Sequence, residues 1–257
     1  MKARLLPPVF AAIVGLTLWE LTVRLLRIEP WLLPPPSTIA RAAFAARSDL
    51  LTATITTGTT ALAGFLLSMV TGVLAAIVLS RSRALERGFY PYAILLQTVP
   101  IVAIAPLLVL WFGVGPRAVT ASAFIVSVFP VVAGTLAGLR SVDPALHDLF
   151  TLYGSSRFRR LISLELPSAA LSIVTGLRVS AGLAVIGAVV GEFVAGFAEG
   201  KPGLGIVVMT SYRQLRTDLL FAAVFCSTLL GLALFSAVGF GAWLYLRKWH
   251  VTEREAA

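Results

Sequence analysis

Residues that could do chemistry are concentrated in one hydrophilic stretch, residues 140–167, which we call the charged loop. It reads RSVDPALHDLFTLYGSSRFRRLISLELP, and its charged residues are Arg140, Asp143, Asp148, Arg157, Arg159, Arg160 and Glu165. Apolar segments of membrane-spanning length lie on both sides, where charged side chains would be costly. The charged loop therefore favours contact with a partner in the aqueous phase.

Motifs for catalysis or metal binding are not visible in the sequence. The two histidines, His147 and His250, lie far apart and have no metal-ligand companions. The pair Gly200-Lys201 resembles a phosphate-binding loop only superficially, because neither the upstream glycine nor the following serine or threonine is present. We expect no catalytic residue, no metal, no cofactor and no nucleotide site.

Local signals predict a first helix in the charged loop, at residues 145–153. Asp143 can cap its start, and the ring of Pro144 suits the first helical position. Gly154 is expected to end the helix, since glycine tolerates the left-handed conformation found there.

A second helix is predicted after this glycine. Ser155 or Ser156 can cap it, and it is expected to extend to Glu165 with its apolar residues mostly on one face. Pro167 is expected to break the helix before the next apolar segment. The charged loop is therefore predicted to be two short helices joined at Gly154.

The composition is that of an integral membrane protein. The chain has 257 residues, of which 58% are hydrophobic and 13% charged, and its mean hydropathy is +0.92. Soluble domains carry about a quarter charged residues. The single cysteine, Cys226, excludes a disulfide framework. The net charge of +9 suits loops beside lipid headgroups, and no basic stripe interleaved with aromatic residues indicates nucleic-acid binding.

The length accommodates one bundle of about six membrane-spanning helices. Apolar segments predict them at residues 7–26, 52–79, 90–112, 118–139, 169–190 and 219–246. The third segment is interrupted by Pro91, Pro100 and Pro106. Ser37 is expected to cap a short helix that precedes the second segment. The distribution of lysine and arginine predicts that both termini and the charged loop are cytoplasmic.

Small residues at steps of four predict faces where two helices approach closely. They are Gly64, Ser68 and Gly72 in the second segment and Gly176, Ser180, Ala184 and Ala188 in the fifth. Two charges, Arg178 and Glu192, bracket the fifth segment. Such charges indicate a transport path or gate, and the open alternative is pairing with backbone or headgroups near helix ends. Glu20 and Arg24, one turn apart, are expected to pair.

The order of Asp148, Gly154 and Leu166-Pro167 resembles the cytoplasmic loop of ATP-binding-cassette importer permeases, which reads Glu-Ala-Ala, then Gly, then Leu-Pro. The charged loop departs at Leu149 and Phe150, where small residues are usual. Residues 100–115, 176–185 and 192–196 are similar to the subfamily that serves nitrate, taurine, aliphatic sulfonates and some vitamin precursors.

The resemblance implies an all-α membrane protein with six transmembrane helices, the type I importer permease fold. It divides the chain into a first helix with a periplasmic connection at residues 1–51, a permease domain at 52–249 and a cytoplasmic tail at 250–257. It implies a bacterial inner-membrane homodimer, two ATPase subunits, and a periplasmic or lipid-anchored solute-binding protein. The residues expected to contact the ATPase are Asp148, Gly154, Ser155, Ser156, Arg157 and Pro167.

The alternatives to an importer permease are an ion-driven carrier and a membrane-embedded enzyme. An ion-driven carrier would need carboxylates near the middle of the membrane and inverted repeats, and Glu192 is the one candidate. A membrane-embedded enzyme would need clustered acids or histidines, which the sequence lacks.

Overall fold

The computed structural model describes residues 2–195 and 201–246, and within these ranges the chain is helical without β-strands. The predicted tail at residues 250–257 lies outside the described residues. The helices are α1 Lys2–Leu25, α2 Pro36–Ala45, α3 Arg47–Ser80, α4 Arg83–Thr98, α5 Ile101–Phe112, α6 Pro116–Arg140, α7 Pro144–Leu152, α8 Arg157–Arg160, α9 Leu166–Ala195, α10 Leu204–Arg213 and α11 Thr217–Leu246. A π-helical turn, Leu161–Glu165, joins α8 to α9.

Among the described residues, four helices are long and apolar enough to cross a membrane. They are α3, α6, α11 and the helix Arg157–Ala195, which contains α8 and α9. The first predicted segment forms α1, whose 24 residues reach about 36 Å. The all-α membrane architecture predicted from the sequence is confirmed.

The third predicted span, residues 90–112, is not one helix. Val99 is extended, with φ −72° and ψ 125°, and it separates the 16-residue α4 from the 12-residue α5. The ring of Pro100 disfavours a helical conformation at the residue before it, which explains the break. Pro91 and Pro106 stay inside α4 and α5, so one of the three prolines divides the segment.

The prediction that Ser37 caps α2 is wrong. The helix begins at Pro36 and has no side-chain cap. The backbone N–H and the hydroxyl of Ser37 instead donate to the Glu20 carboxylate at 3.0 and 2.8 Å. The predicted pair of Glu20 and Arg24 is confirmed at 2.5 Å. The Glu20 carboxylate of α1 therefore accepts the hydrogen bond of a backbone N–H in the first turn of α2.

Helices α6 and α9 pack so closely at the centre of the bundle that their backbones touch. A Cβ atom at Gly176 would lie 2.5 Å from the carbonyl oxygen of Pro130, and one at Gly187 would lie 2.8 Å from the Cα of Ala123. The hydroxyl of Ser180 donates to the carbonyl of Ser127 at 2.7 Å. The small residues predicted in the fifth segment therefore form a helix-packing face.

Helix α3 packs against α6 in the same way. A Cβ atom at Gly64 would lie 2.5 Å from the Cβ of Ala123, and one at Gly72 would lie 2.9 Å from Val131. The Ser68 hydroxyl bonds the Ser127 hydroxyl at 2.6 Å. Both predicted small-residue faces are confirmed, and they hold α3, α6 and α9 as one closely packed group.

We predict that Gly176→Ala lowers the stability of the purified protein by about 1–3 kcal/mol, because the added methyl group forces the backbones of α6 and α9 apart. The matched control is Gly182→Ala on the same helix, where a Cβ atom would meet nothing within 4 Å. That control should unfold at the wild-type temperature or above, since alanine favours helix more than glycine does. Thermal unfolding in detergent measures both, and equal midpoints would contradict the prediction.

Candidate functional site

The first helix of the charged loop forms as its sequence predicts. The carboxylate of Asp143 accepts a hydrogen bond from the N–H of Ala145 at 2.8 Å and caps α7. Gly154 has φ +66°, in the left-handed region, directly after the helix. The N–H of Ser155 then bonds the carbonyl of Phe150 at 3.0 Å, which satisfies an otherwise free carbonyl at the helix end.

The second helix begins as predicted but does not end where predicted. Ser156 is the cap, and its hydroxyl accepts from the N–H of Arg159 at 3.2 Å. The helix then continues through Pro167 into α9, so the predicted break is wrong. The N–H of Leu166 bonds the carbonyl of Leu161, five residues back. This wider π-helical turn gives the proline ring room that a regular α-turn would not.

The tip of the charged loop exposes large apolar side chains. Leu152, Tyr153 and Phe158 are 85%, 82% and 72% exposed. Beside them is a cavity of about 520 Å³, lined by Leu149, Phe150, Tyr153, Ser155, Arg159 and Ser163. Exposed apolar residues grouped on a hydrophilic segment are typical of surfaces that bind a protein or a membrane.

The residues predicted to contact an ATPase do not all lie at this tip. Asp148, Gly154, Ser156 and Arg157 are exposed there, and Ser155 is half-buried. Pro167 is half-buried inside the continuous helix. Leu149 and Phe150, which replace the usual small residues, line the cavity next to Tyr153.

Glu192 is buried at the other end of α9, with 3% of its surface exposed. Its carboxylate accepts from the hydroxyl of Thr57 at 2.8 Å and from the N–H of Gly205 at 2.7 Å. Thr57 also accepts from the N–H of Leu204 at 2.8 Å. We call these four residues the Glu192 cluster. Its carboxylate caps the amino terminus of α10, where the helix dipole favours negative charge.

The glycines beside Glu192 leave no space for a side chain. A Cβ atom at Gly203 would overlap the Glu192 carboxylate, and one at Gly205 would lie 2.8 Å from the Cβ of Glu192. The first turn of α10 is therefore pressed against α9. Helix α10 was not predicted from the sequence, and its contacts with Thr57 and Glu192 join residues far apart in the chain.

Arg178 lies at the contact between α9 and α11, and it is half-buried. Its guanidinium carbon is 5.7 Å from the centre of the Phe235 ring. The absence of a side chain at Gly239 admits the guanidinium, because a Cβ atom there would lie 2.8 Å from Arg178 Nη2. Within the described ranges its Nε is buried without a hydrogen-bond partner. Arg178 and Glu192 are not brought together.

The sequence analysis assigned no role to Glu165, which the π-helical turn buries next to the charged loop. Its carboxylate lies near Arg81, His147 and Arg160, at 3.2, 3.9 and 3.8 Å. We call these four residues the Glu165 cluster. The feature of the sequence that could have indicated this cluster is Glu165 itself, an acidic residue in the otherwise uncharged stretch 161–171. In residues 2–195 and 201–246, no group of three metal-binding side chains occurs.

The family of the chain follows from comparison with known proteins. Residues 68–244 match the family described as binding-protein-dependent transport system inner membrane component. The chain belongs to this family. As a member of the family, this permease is a multi-pass inner-membrane protein.

The relatives and the fold agree with this assignment. A probable ABC transporter permease protein of Haemophilus influenzae is 34% identical to this permease over 93% of this chain and 96% of its own. The formylaminopyrimidine transport permease protein ThiX of Halalkalibacterium halodurans is 32% identical over 91% and 92%. The inward-facing MetNI methionine ABC transporter matches with a TM-score of 0.56 at 16% identity, over 74% of this chain and 95% of that one.

The predicted family is therefore confirmed, and so is the importer permease fold. Permeases for taurine and aliphatic sulfonates are among the relatives, as the resemblance in the sequence suggested. The chain is an ABC importer permease rather than an ion-driven carrier.

We predict that Thr57→Val loosens α10 and lowers the stability of the permease by about 1–3 kcal/mol, because Glu192 and the N–H of Leu204 each lose a buried partner. The change can be followed with a cysteine at Ser211, a residue of α10 that is 1% exposed. In a Cys226→Ser background, Ser211→Cys should react faster with maleimide when Thr57→Val is present.

The control for this experiment is Thr59→Val on the same helix. Thr59 is exposed, and its hydroxyl bonds the carbonyl of Thr56 within α3 at 2.8 Å. Its replacement should change neither labelling nor stability. Equal labelling rates for the two valine variants would show that the Glu192 cluster does not hold α10.

Proposed function

We propose that the charged loop docks on a separate ATPase subunit and that ATP hydrolysis there drives solute uptake through this permease. The observation that supports this most is the exposure of Leu152, Tyr153 and Phe158 at the tip of the loop. Apolar side chains of this size favour burial in a partner. Asp148, Gly154, Ser155, Ser156 and Arg157 form the remainder of the contact, with Pro167 in the helix behind it.

The continuous helix from Arg157 to Ala195 supports the same mechanism. Its first turns belong to the charged loop, and its last residues adjoin the Glu192 cluster. A displacement at the docking surface moves this helix as a whole, because no break separates α8 from α9. Closure of the ATPase subunits would then exchange access between the two sides of the membrane.

The complete transporter that we propose has two copies of the permease, two ATPase subunits and a solute-binding protein that is periplasmic or lipid-anchored. Both termini and the charged loop are cytoplasmic in this arrangement. Its support is the excess of basic residues in the loops on that side, including Arg81, Arg83 and Arg87. ATP hydrolysis belongs to the partner subunits, and this chain supplies the membrane path.

Arg178 and Glu192 belong to this path or to its gate in the proposed mechanism. Glu192 holds the first turn of α10 against α3 and α9. Loss of these hydrogen bonds would free α10. Arg178 places a cation between α9 and α11, and its Nε donor has no hydrogen-bond partner among the residues that the structure describes. A charge within a membrane-spanning helix is retained where a polar solute or a conformational change uses it.

The solute is proposed to be small and polar. Relatives are named as permeases for formylaminopyrimidine, riboflavin and taurine, which are small polar molecules of different structure. The solute-binding protein would supply most of the selectivity among them.

Uptake by cells that express the whole transporter should require ATP. A panel of labelled solutes that includes formylaminopyrimidine, riboflavin and taurine identifies one that is taken up. Depletion of ATP should abolish this uptake, whereas an uncoupler added with ATP held constant should leave it unchanged. Uptake that survives ATP depletion and collapses with the uncoupler would contradict the proposal.

We predict that Leu152→Asp weakens binding of the co-expressed ATPase subunit at least about tenfold, which corresponds to about 1.4 kcal/mol. The reason is that a carboxylate replaces an apolar side chain in the proposed interface. The control is Phe44→Asp, since Phe44 is 70% exposed on α2 and lies outside the charged loop. Co-purification and a titration in detergent measure binding. Equal affinities of both variants would argue against docking at this tip.

A further inference from the structure

The Glu165 cluster joins three parts of the chain that meet beside the charged loop. Arg81 follows the last residue of α3, and its Nη2 lies 3.2 Å from Glu165 Oε2. Arg160 of α8 and His147 of α7 approach Glu165 Oε1, at 3.8 and 3.9 Å. The Nη1 of Arg160 also donates to the hydroxyl of Thr151 on α7, at 2.9 Å. The two helices of the charged loop are thus fixed to each other and to α3.

Burial makes this connection more than a surface ion pair. The side chain of Glu165 is 11% exposed, and those of Arg160 and Arg81 are 15% and 31% exposed. Exposed ion pairs contribute little because water and salt screen them. Removal of one partner from a buried pair leaves a charge without compensation, which favours keeping the pair intact.

The same two helices, α3 and α9, are joined again at their opposite ends. There the Glu192 carboxylate of α9 accepts from Thr57 of α3. At the helical rise per residue, Thr57 and Arg81 are about 36 Å apart along α3. Helix α3 is therefore held at two distant points by carboxylates of the continuous helix Arg157–Ala195, one beside the charged loop and one beside α10.

We infer that Glu165 is a positioning residue that makes α3 follow the charged loop, so that a displacement of the loop reaches α10 through α3 and α9 together. This rests on the proposed docking of the ATPase. The loop is joined through the chain to α6 and α9 but not to α3, so α3 follows the loop only through contacts. If α9 moved without α3, Thr57 and Glu192 would separate; with the Arg81–Glu165 pair intact, both helices move as one body.

The test uses the permease assembled with its ATPase subunits in lipid nanodiscs. A cysteine at Ser211, buried in α10, reports on the far end, and Cys226→Ser removes the native thiol. The maleimide labelling rate is measured without nucleotide and after trapping with ATP and orthovanadate. In the reporter protein, trapping should change the rate at least about fivefold, a typical coupling between distant sites.

Glu165→Gln should retain the bound ATPase subunits and their ATP hydrolysis but lose most of this change in labelling. Arg81→Gln should have the same effect, and the two together should be no worse than either alone. Arg81→Lys, which keeps the positive charge opposite Glu165, should retain most of the response. A merely structural role would lower ATPase binding and ATP hydrolysis as well.

The control is Glu20→Gln, which removes a carboxylate from the Glu20–Arg24 ion pair of α1. It should leave the labelling response as in the reporter protein. If Glu165→Gln responds like this control, the inference is overturned. A reporter protein that shows no labelling change although its bound ATPase subunits bind and hydrolyse ATP also overturns it. Failure of the reporter protein to bind the ATPase subunits would instead overturn the proposed function.

Discussion

A carboxylate that is buried away from water must be given hydrogen-bond donors or opposite charges, and the continuous helix Arg157–Ala195 carries two of them, Glu165 and Glu192. Arg81, which follows the last residue of α3, lies against the charged loop because it pairs with Glu165. Glu192 accepts hydrogen bonds both from Thr57 of α3 and from the first turn of α10, and so holds the two helices together. The need to satisfy these two groups sets where α3, α9, α10 and the charged loop lie relative to one another.

Between these two points the helices are held by close packing rather than by charge. Gly176 of α9 and Gly64 of α3 both approach α6 at distances that leave no room for a methyl group. Interiors packed at this density do not deform continuously, so the three helices respond to a force by moving together or by repacking. Polar clusters at the ends and backbone contact at the middle thus combine into a unit suited to transmitting displacement.

Sequence reasoning succeeded where the determining contacts are local. The start of α7 at Asp143 and its end at Gly154 depend on residues within one helical turn, and both were predicted. The predicted cap at Ser37 was wrong because the hydroxyl of Ser37 bonds Glu20, which lies on another helix. The partners of Glu192 were not predicted for the same reason, since Thr57 is 135 residues away in the chain. The family motif identified the charged loop, while the division into residues 1–51, 52–249 and 250–257 stays a prediction.

The error at Pro167 has the largest consequence for mechanism. A break there would separate the charged loop from α9 by a flexible joint, and motion of the loop would be partly lost in bending. The π-helical turn removes that joint, because it accommodates the proline without ending the helix. The same turn places Glu165 where it meets Arg81. One local irregularity therefore lies both on the continuous path to α9 and at the connection to α3.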